Sequence, residues 1–202
     1  MKTGILGGTF DPVHLGHIAA ARAAAECADL DRVLFIPTGI PPHRRGTVAT
    51  PAERLAMTRL AVRDERLFEV SDVEVRRGGA SYTSDTLEQL RRLYPDDELF
   101  LILGWDAARL FRTWHMPEEV RRLATVVIVS RPGSGLLDRA AIEAAGLDPE
   151  RTIVCVRRTP DVSASSLRRA LGRGQRVTDR VPDAVARYID EHHLYAHNRS
   201  VG

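Results

Sequence analysis

The chain of 202 residues contains a single lysine, Lys2, so arginine carries nearly all of its positive charge. Together with abundant alanine, that choice reflects a GC-rich coding bias, and a net charge of +2 is no argument for a nucleic-acid partner. Aromatic residues make up only 5%, too few for the exposed stacking platforms of an RNA-binding module. There are two cysteines, Cys27 and Cys155, far apart and in apolar surroundings. They form no CxxC pair and stand beside no histidine cluster, so a disulfide framework and a zinc site are both unexpected. Reduced thiols in a cytoplasmic protein are the expectation. The amino terminus has no apolar segment behind a charged start, and no apolar run approaches a membrane span, so no membrane partner is expected. Internal repeats and low-complexity segments are missing as well.

What the chain does have is an ordinary globular composition, 44% hydrophobic and 28% charged, in one domain, 1–202, long enough for a substantial core. Apolar runs of strand length stand at Thr3–Gly7, Arg32–Pro37, Phe68–Ser71, Leu99–Leu103, Val126–Ser130 and Thr152–Val156. Helical periodicity fills the intervals at Leu15–Ala28, Pro51–Val62, Ser84–Leu93, Glu118–Leu123 and Arg139–Ala145. Continuous apolar strands divided by helices predict an α/β fold, a doubly wound and mainly parallel sheet covered on both faces. Residues 163–193 then form a small carboxy-terminal helical part, Ser163–Leu171 and Pro182–His193, with Pro182 or Asp183 at the second helix start. Thr38–Thr50 is a Pro/Gly/basic loop, and Arg77-Gly78-Gly79-Ala80 is a second break. Ligands of open parallel sheets gather at the carboxyl ends of strands. The segments that follow strands here should therefore crowd one rim.

The most informative of them is Gly7 to His17, GGTFDPVHLGH, directly after the first strand. The turn holds no serine or cysteine, so it is not a nucleophile elbow. It lacks the Gly-Lys-Ser/Thr ending of a P-loop, and GxGxxG is absent. Gly7 and Gly8 allow close backbone approach to a ligand, and the helix start offers unpaired N–H groups to an anion. Thr9 and Phe10 are expected to lend backbone to phosphates, and Asp11 to orient the turn or cap the helix. His14 and His17, three apart, are expected on one helical face, reaching one anion and stabilising charge that grows in a transition state. Gly16 between them leaves room for a base or sugar. A lone histidine there would be a surface or capping group; the pair behind Gly-Gly-Thr-Phe-Asp-Pro points to nucleotide chemistry.

The run resembles the HxGH signature of the nucleotidylyltransferase superfamily, whose members share a doubly wound Rossmann-like fold. Ile40-Pro41-Pro42-His43, the SYT-S-DTL segment from Ser81 to Leu87, Gly104-Trp105-Asp106, Trp114 and Ser163-Ala164-Ser165-Ser166-Leu167-Arg168 narrow the likeness. In order and spacing, over nearly the whole chain, they are similar to nicotinate-nucleotide adenylyltransferases. Serine stands at 165 where the family usually has threonine, which keeps the hydroxyl. The resemblance implies joining nicotinate mononucleotide to ATP, releasing pyrophosphate, by direct in-line attack without a covalent intermediate. It implies His14, His17 and Arg168 as catalytic groups. ATP would meet Gly7, Gly8, Thr9, Phe10, Gly16, His43, Gly104, Asp106, Ser163 and Ser165. Thr83, Thr86 and Trp114 would hold the mononucleotide, with the tryptophan against the pyridine ring. Magnesium would travel with the ATP phosphates and need no protein ligand cluster.

Other acceptors for the same chemistry are phosphopantetheine and the amide mononucleotide. Thr83 and Trp114 speak against the first; acid against amide stays open, as does assembly into homo-oligomers. A tRNA-charging enzyme with an HxGH-like site would need a longer chain and an anticodon-reading domain.

Overall fold

Side-chain alternation along the strands sorts the apolar residues of the sheet into two separate cores. The computed structural model describes residues 1–41, 47–130 and 138–196. Its strands are β1 (Lys2–Gly8), β2 (Arg32–Pro37), β3 (Phe68–Val70), β4 (Glu98–Gly104), β5 (Thr125–Ser130) and β6 (Thr152–Val156). All pair in parallel in one six-stranded sheet of order β3-β2-β1-β4-β5-β6. The helices are α1 (Leu15–Ala28), α2 (Pro51–Val62), α3 (Val73–Arg77), α4 (Thr83–Leu93), α5 (Trp105–Ala108), α6 (Pro117–Leu123), α7 (Arg139–Ala145), α8 (Ala164–Gly172) and α9 (Asp183–Glu191). Leu6, Val33, Phe35, Ile102, Val127 and Val129 face one way and pack under α1, α2, α8 and α9. Ile5, Leu34, Ile36, Leu101, Leu103 and Ile128 face the other, against residues of α3, α4, α6 and α7. The doubly wound sheet expected from the apolar runs is the sheet observed.

Local chemistry explains where elements begin. Thr50 and Glu53 form a reciprocal capping box at α2, with Pro51 in the first turn. Ser163 caps α8, its Oγ accepting the Ser166 N–H at 3.2 Å. Pro182 and Asp183 open α9 as expected. The short helices α3 and α5 escape the periodicity argument because five and four residues hold too little of a helical period to read. Alanine makes α1 narrow: Ala21, Ala23, Ala24, Ala25 and Ala28 are all buried.

At the amino ends of the strands a polar cluster locks β1 to β4. The Thr3 hydroxyl donates to Asp97 at 2.6 Å and Arg32 donates to it at 2.9 Å. Burial pushes the Asp97 carboxyl up, but Thr3, Arg32 and the terminal amino group together hold it below its ordinary value. The carboxyl ends, by contrast, are left for function.

One expectation is corrected. Cys27 of α1 and Cys155 of β6 are joined in a disulfide across 128 residues of sequence. The helix packs back over β5 and β6, bringing together two positions whose separation in sequence hides their adjacency. The link ties the helix that His14 caps and His17 belongs to, α1, to the edge strand preceding α8. Among the described residues no helix is long and apolar enough to cross a membrane. Thiol titration of the denatured, unreduced protein should find no free thiol, and both cysteines after reduction. Two free thiols before reduction would show that the link does not form.

Candidate active site

The strand order reverses direction beside β1: the chain passes outward to β2 and β3, then returns to β4 on the other side. This is the switch point at which open α/β sheets bind ligands. Two cavities open there. The larger, about 630 Å³, is lined by His14, Gly16, His17, Gly104, Trp105, Asp106 and the stretch Thr159 to Ser163, among others. The smaller, about 160 Å³, is lined by Gly7, Gly8, Thr38, Glu74, Ser81, Thr83, Thr86 and Trp114, with apolar side chains of β1, β2 and β4. Two further concavities, on the carboxy-terminal helices, are lined by neither His14 nor His17.

The histidines meet, though not as two residues along one helical face. His14 is the N-cap of α1, with φ −147° and ψ 169°, outside the helix. Its ring stacks on His17 with centroids 3.6 Å apart, and its backbone N–H donates to His17 Nδ1 at 3.2 Å. A neutral imidazole that accepts at Nδ1 carries its proton at Nε2, so His17 has one donor to offer a ligand. Burial, then the neighbouring His14 ring, holds the His17 pKa well below its ordinary value. The Phe10 ring, buried and edge-on to His17 at 4.9 Å, braces it from below.

Gly16 lines the larger cavity and also packs against the histidine pair. Its free side is filled by the His14 ring: a Cβ would lie 3.0 Å from His14 Nδ1 and 3.1 Å from Cε1. The absence of a Cβ thus lets the His14 ring pack against the helix backbone. Around Gly7 and Gly104 a Cβ would meet nothing within 4 Å, so at those positions the space is open to a ligand. Phe10 itself adopts φ 47°, a left-handed turn that points its ring inward.

Asp11 does not cap α1. It is buried and accepts the N–H groups of Val48 and Ala49 at 2.9 and 3.1 Å and the Tyr195 hydroxyl at 2.8 Å. Burial and the Asp11 charge push the Tyr195 phenol far up. Arg168 of α8 donates to the Asp11 carbonyl at 2.6 Å and lies 3.8 Å from its carboxylate. Arg168 and Ser165 line a neighbouring concavity with Arg169 and Arg173, not the histidine cavity. Ser163 does line the histidine cavity. Asp106 lines it too, with its carboxylate 97% exposed and 3.5 Å from Arg109. Thr83 opens α4 and faces the smaller cavity beside Trp114. Thr86 lines that cavity as well, but its hydroxyl is donated to Glu74 at 2.8 Å. His43 lies outside the described residues.

Four contributors were not foreseen. Arg54, with no exposed surface, donates to the carbonyls of Thr9 and Gly39 at 2.8 and 2.9 Å. Burial lowers its pKa, yet an arginine stays charged. In sequence it is an arginine on a helix, indistinguishable from the exposed ones. Glu74 hides for the same reason. Trp105 and Asp161 line the larger cavity, and their place after strand ends was the only signal available.

A cytidylyltransferase-like family model matches residues 5–170. A probable nicotinate-nucleotide adenylyltransferase of Dehalococcoides mccartyi is 42% identical over 199 residues, covering 96% of this chain and 97% of the relative. The chain belongs to this family. The Thermus thermophilus protein of the same name is 44% identical over 196 residues, covering 96% of this chain and 100% of its own. A solved structure of Plasmodium falciparum nicotinic acid mononucleotide adenylyltransferase complexed with NaAD superposes with a TM-score of 0.80 at 17% identity, over 96% and 98% of the two chains. At that identity the likeness concerns the fold.

Replacing Gly16 by alanine tests the packing of the histidine pair. An alanine in a helix gains roughly 0.5–1 kcal/mol over glycine, so resistance to denaturant should hold or rise. Turnover should nonetheless fall, on the order of tenfold to a hundredfold, because the His14 ring is displaced by a fraction of an ångström or more. Unchanged turnover would show that the ring's position is immaterial.

Proposed function

We propose that this member of the nicotinate-nucleotide adenylyltransferase family transfers the adenylyl group of ATP to nicotinate mononucleotide by in-line attack, without a covalent enzyme intermediate. The overall reaction gives nicotinate adenine dinucleotide and pyrophosphate and is a step of NAD biosynthesis; the assignment to it follows from family membership over the full chain. A 5′-phosphate oxygen of the mononucleotide forms the new bond to the α-phosphorus. The bond to the bridging oxygen breaks, and pyrophosphate leaves with that electron pair. The observation that carries the mechanism is the pair of cavities flanking the tip of β1, one with stacked imidazoles and one with a tryptophan. A phosphate monoester is already a nucleophile at neutral pH, so the protein needs chiefly to align two anions and screen their repulsion.

In this reading the larger cavity takes ATP. His17 Nε2–H and the first turn of α1 face its phosphates. Burial keeps His17 neutral, so it would meet the triphosphate as an Nε2–H donor; a second proton would have to sit on Nδ1 and displace the His14 N–H. Asp106 would accept from ribose hydroxyls, and Ser163, Ser165 and Arg168 would hold the outgoing pyrophosphate at the start of α8. Closing Arg168 onto phosphate requires it to exchange its Asp11 carbonyl partner for an anion. Trp114 would stack on the pyridine ring, with Thr83 and the N–H groups at the start of α4 meeting the carboxylate.

A divalent cation is expected with ATP. Among the described residues there is no group of three or more histidine, cysteine, aspartate or glutamate side chains placed to hold one. The carboxylates of Asp106 and Asp161 line the larger cavity, hard oxygen donors suited to a magnesium ion that arrives on the triphosphate and keeps part of its water. When bound it would neutralise phosphate charge. Work in the cytoplasm, with neither nucleic acid nor membrane as partner, completes the proposal.

Pyrophosphate release from ATP, measured with nicotinate mononucleotide, the amide mononucleotide and phosphopantetheine as rival acceptors, tests the reading. The acid should be used most efficiently; an equal rate with phosphopantetheine would overturn it. His17→Ala should lower kcat on the order of a hundredfold or more while changing the mononucleotide KM far less. Equal losses in both would remove His17 from transition-state stabilisation.

A further inference from the structure

The smaller cavity has a carboxylic acid in its wall. Glu74, the second residue of α3, is 7% exposed and lines the cavity beside Thr83 and Trp114. Its Oε1 accepts the Thr86 hydroxyl at 2.8 Å. Its Oε2 is buried without a hydrogen bond of ordinary geometry among the described residues. Arg77, on the same helix, donates to the Thr86 hydroxyl oxygen at 3.1 Å and draws Glu74 toward ionisation. Arg54 reaches it from α2, its guanidinium bound to the Gly39 carbonyl. The Ser81 hydroxyl and the Gly39 N–H face it from the segments before α4 and after β2, and both are neutral. Burial nevertheless prevails and holds the Glu74 pKa above its ordinary value, with Thr86, Ser81, Arg77 and the Gly39 N–H offsetting part of the rise.

We propose that Glu74 is a specificity-determining residue that links the choice between acid and amide mononucleotide to a proton. The cavity accepts the pyridine carboxylate with Glu74 protonated, whereas ionised Glu74 favours the neutral carboxamide. This rests on the reading of the cavity as the pyridine pocket. A space of about 160 Å³ brings any bound carboxylate close to Glu74, and two carboxylates in one desolvated site do not both stay ionised. Protonated, Glu74 also gains an O–H donor that its ionised form lacks. By linkage, the acid ligand raises the Glu74 pKa further, and its binding takes up a proton wherever free Glu74 is ionised. Affinity for the acid therefore falls as pH rises above that pKa; affinity for the amide does not.

Calorimetry of the unmodified enzyme with each mononucleotide, in two buffers of different ionisation enthalpy, reads the proton directly. The 5′-phosphate is common to both ligands and cancels. The acid should take up more proton than the amide, and Glu74→Gln, which keeps volume and donor, should abolish the difference. The ratio of amide KM to acid KM, followed over roughly pH 5 to 9 where buried carboxyls titrate, should fall with rising pH, tenfold for each unit of coupling. In Glu74→Gln it should stay level. Equal proton uptake for the two ligands, or an unchanged profile in Glu74→Gln, overturns the proposal. Trp114→Ala separates the premise from the inference: it should raise both mononucleotide KM values and spare ATP. If Trp114→Ala spares the mononucleotides, the pocket is misplaced and the proposal falls with it. If it weakens them while Glu74→Gln changes neither proton uptake nor profile, the role of Glu74 alone is refuted.

Discussion

A guanidinium with no access to water holds the rim of this site together. Arg54 reaches from α2 to the carbonyls of Thr9 and Gly39, one just past β1 and the other just past β2. Each such charge-assisted bond is worth about 1.5–3 kcal/mol, and a buried carbonyl left without a partner costs a similar amount. With those bonds in place the turn after β1 cannot drift from the loop after β2. Asp11 adds a second tie, gathering the Val48 and Ala49 N–H groups, Tyr195 and the backbone-bound Arg168 around one carboxylate. The phosphate turn thus hangs between two buried charges of opposite sign.

That rigidity gives the histidine pair its meaning. The stacked rings could not both carry charge cheaply at 3.6 Å. His17 is kept neutral by burial and by His14, and its tautomer is set by the backbone N–H of His14. A site built this way offers an anion a neutral N–H dipole of fixed direction. Preorganisation of this kind lowers a barrier without costly rearrangement at the moment of reaction. Glu74 repeats the theme with the other sign. It is a carboxyl held toward its neutral form in the wall of the smaller cavity.

The sheet was legible because each strand is a continuous apolar run and each long helix carries its own period; β2, β6, α1, α2 and α7 fall where periodicity puts them. The HxGH turn was legible because glycine, proline and histidine at fixed spacing leave few local conformations. Less visible was what meets across distance. The partner of Cys27, 128 residues away, depends on how α1 crosses β6, which no local pattern encodes. The packing of the His14 ring over Gly16 depends on the N-cap conformation of His14, which residue spacing does not show. Arg54 and Glu74 read as surface charges because their helices carry exposed charges of the same kind, and burial is a property of neighbours.

By itself, then, the sequence determined the order of the strands and of the longer helices, and the family whose motifs it carries. These follow from short-range rules: side-chain periodicity, backbone restriction at glycine and proline, and capping. Only the tertiary structure decided which imidazole carries its proton where, which charges are buried, and which residues share a cavity. Those are electrostatic and packing properties, and they depend on atoms brought together from every part of the chain.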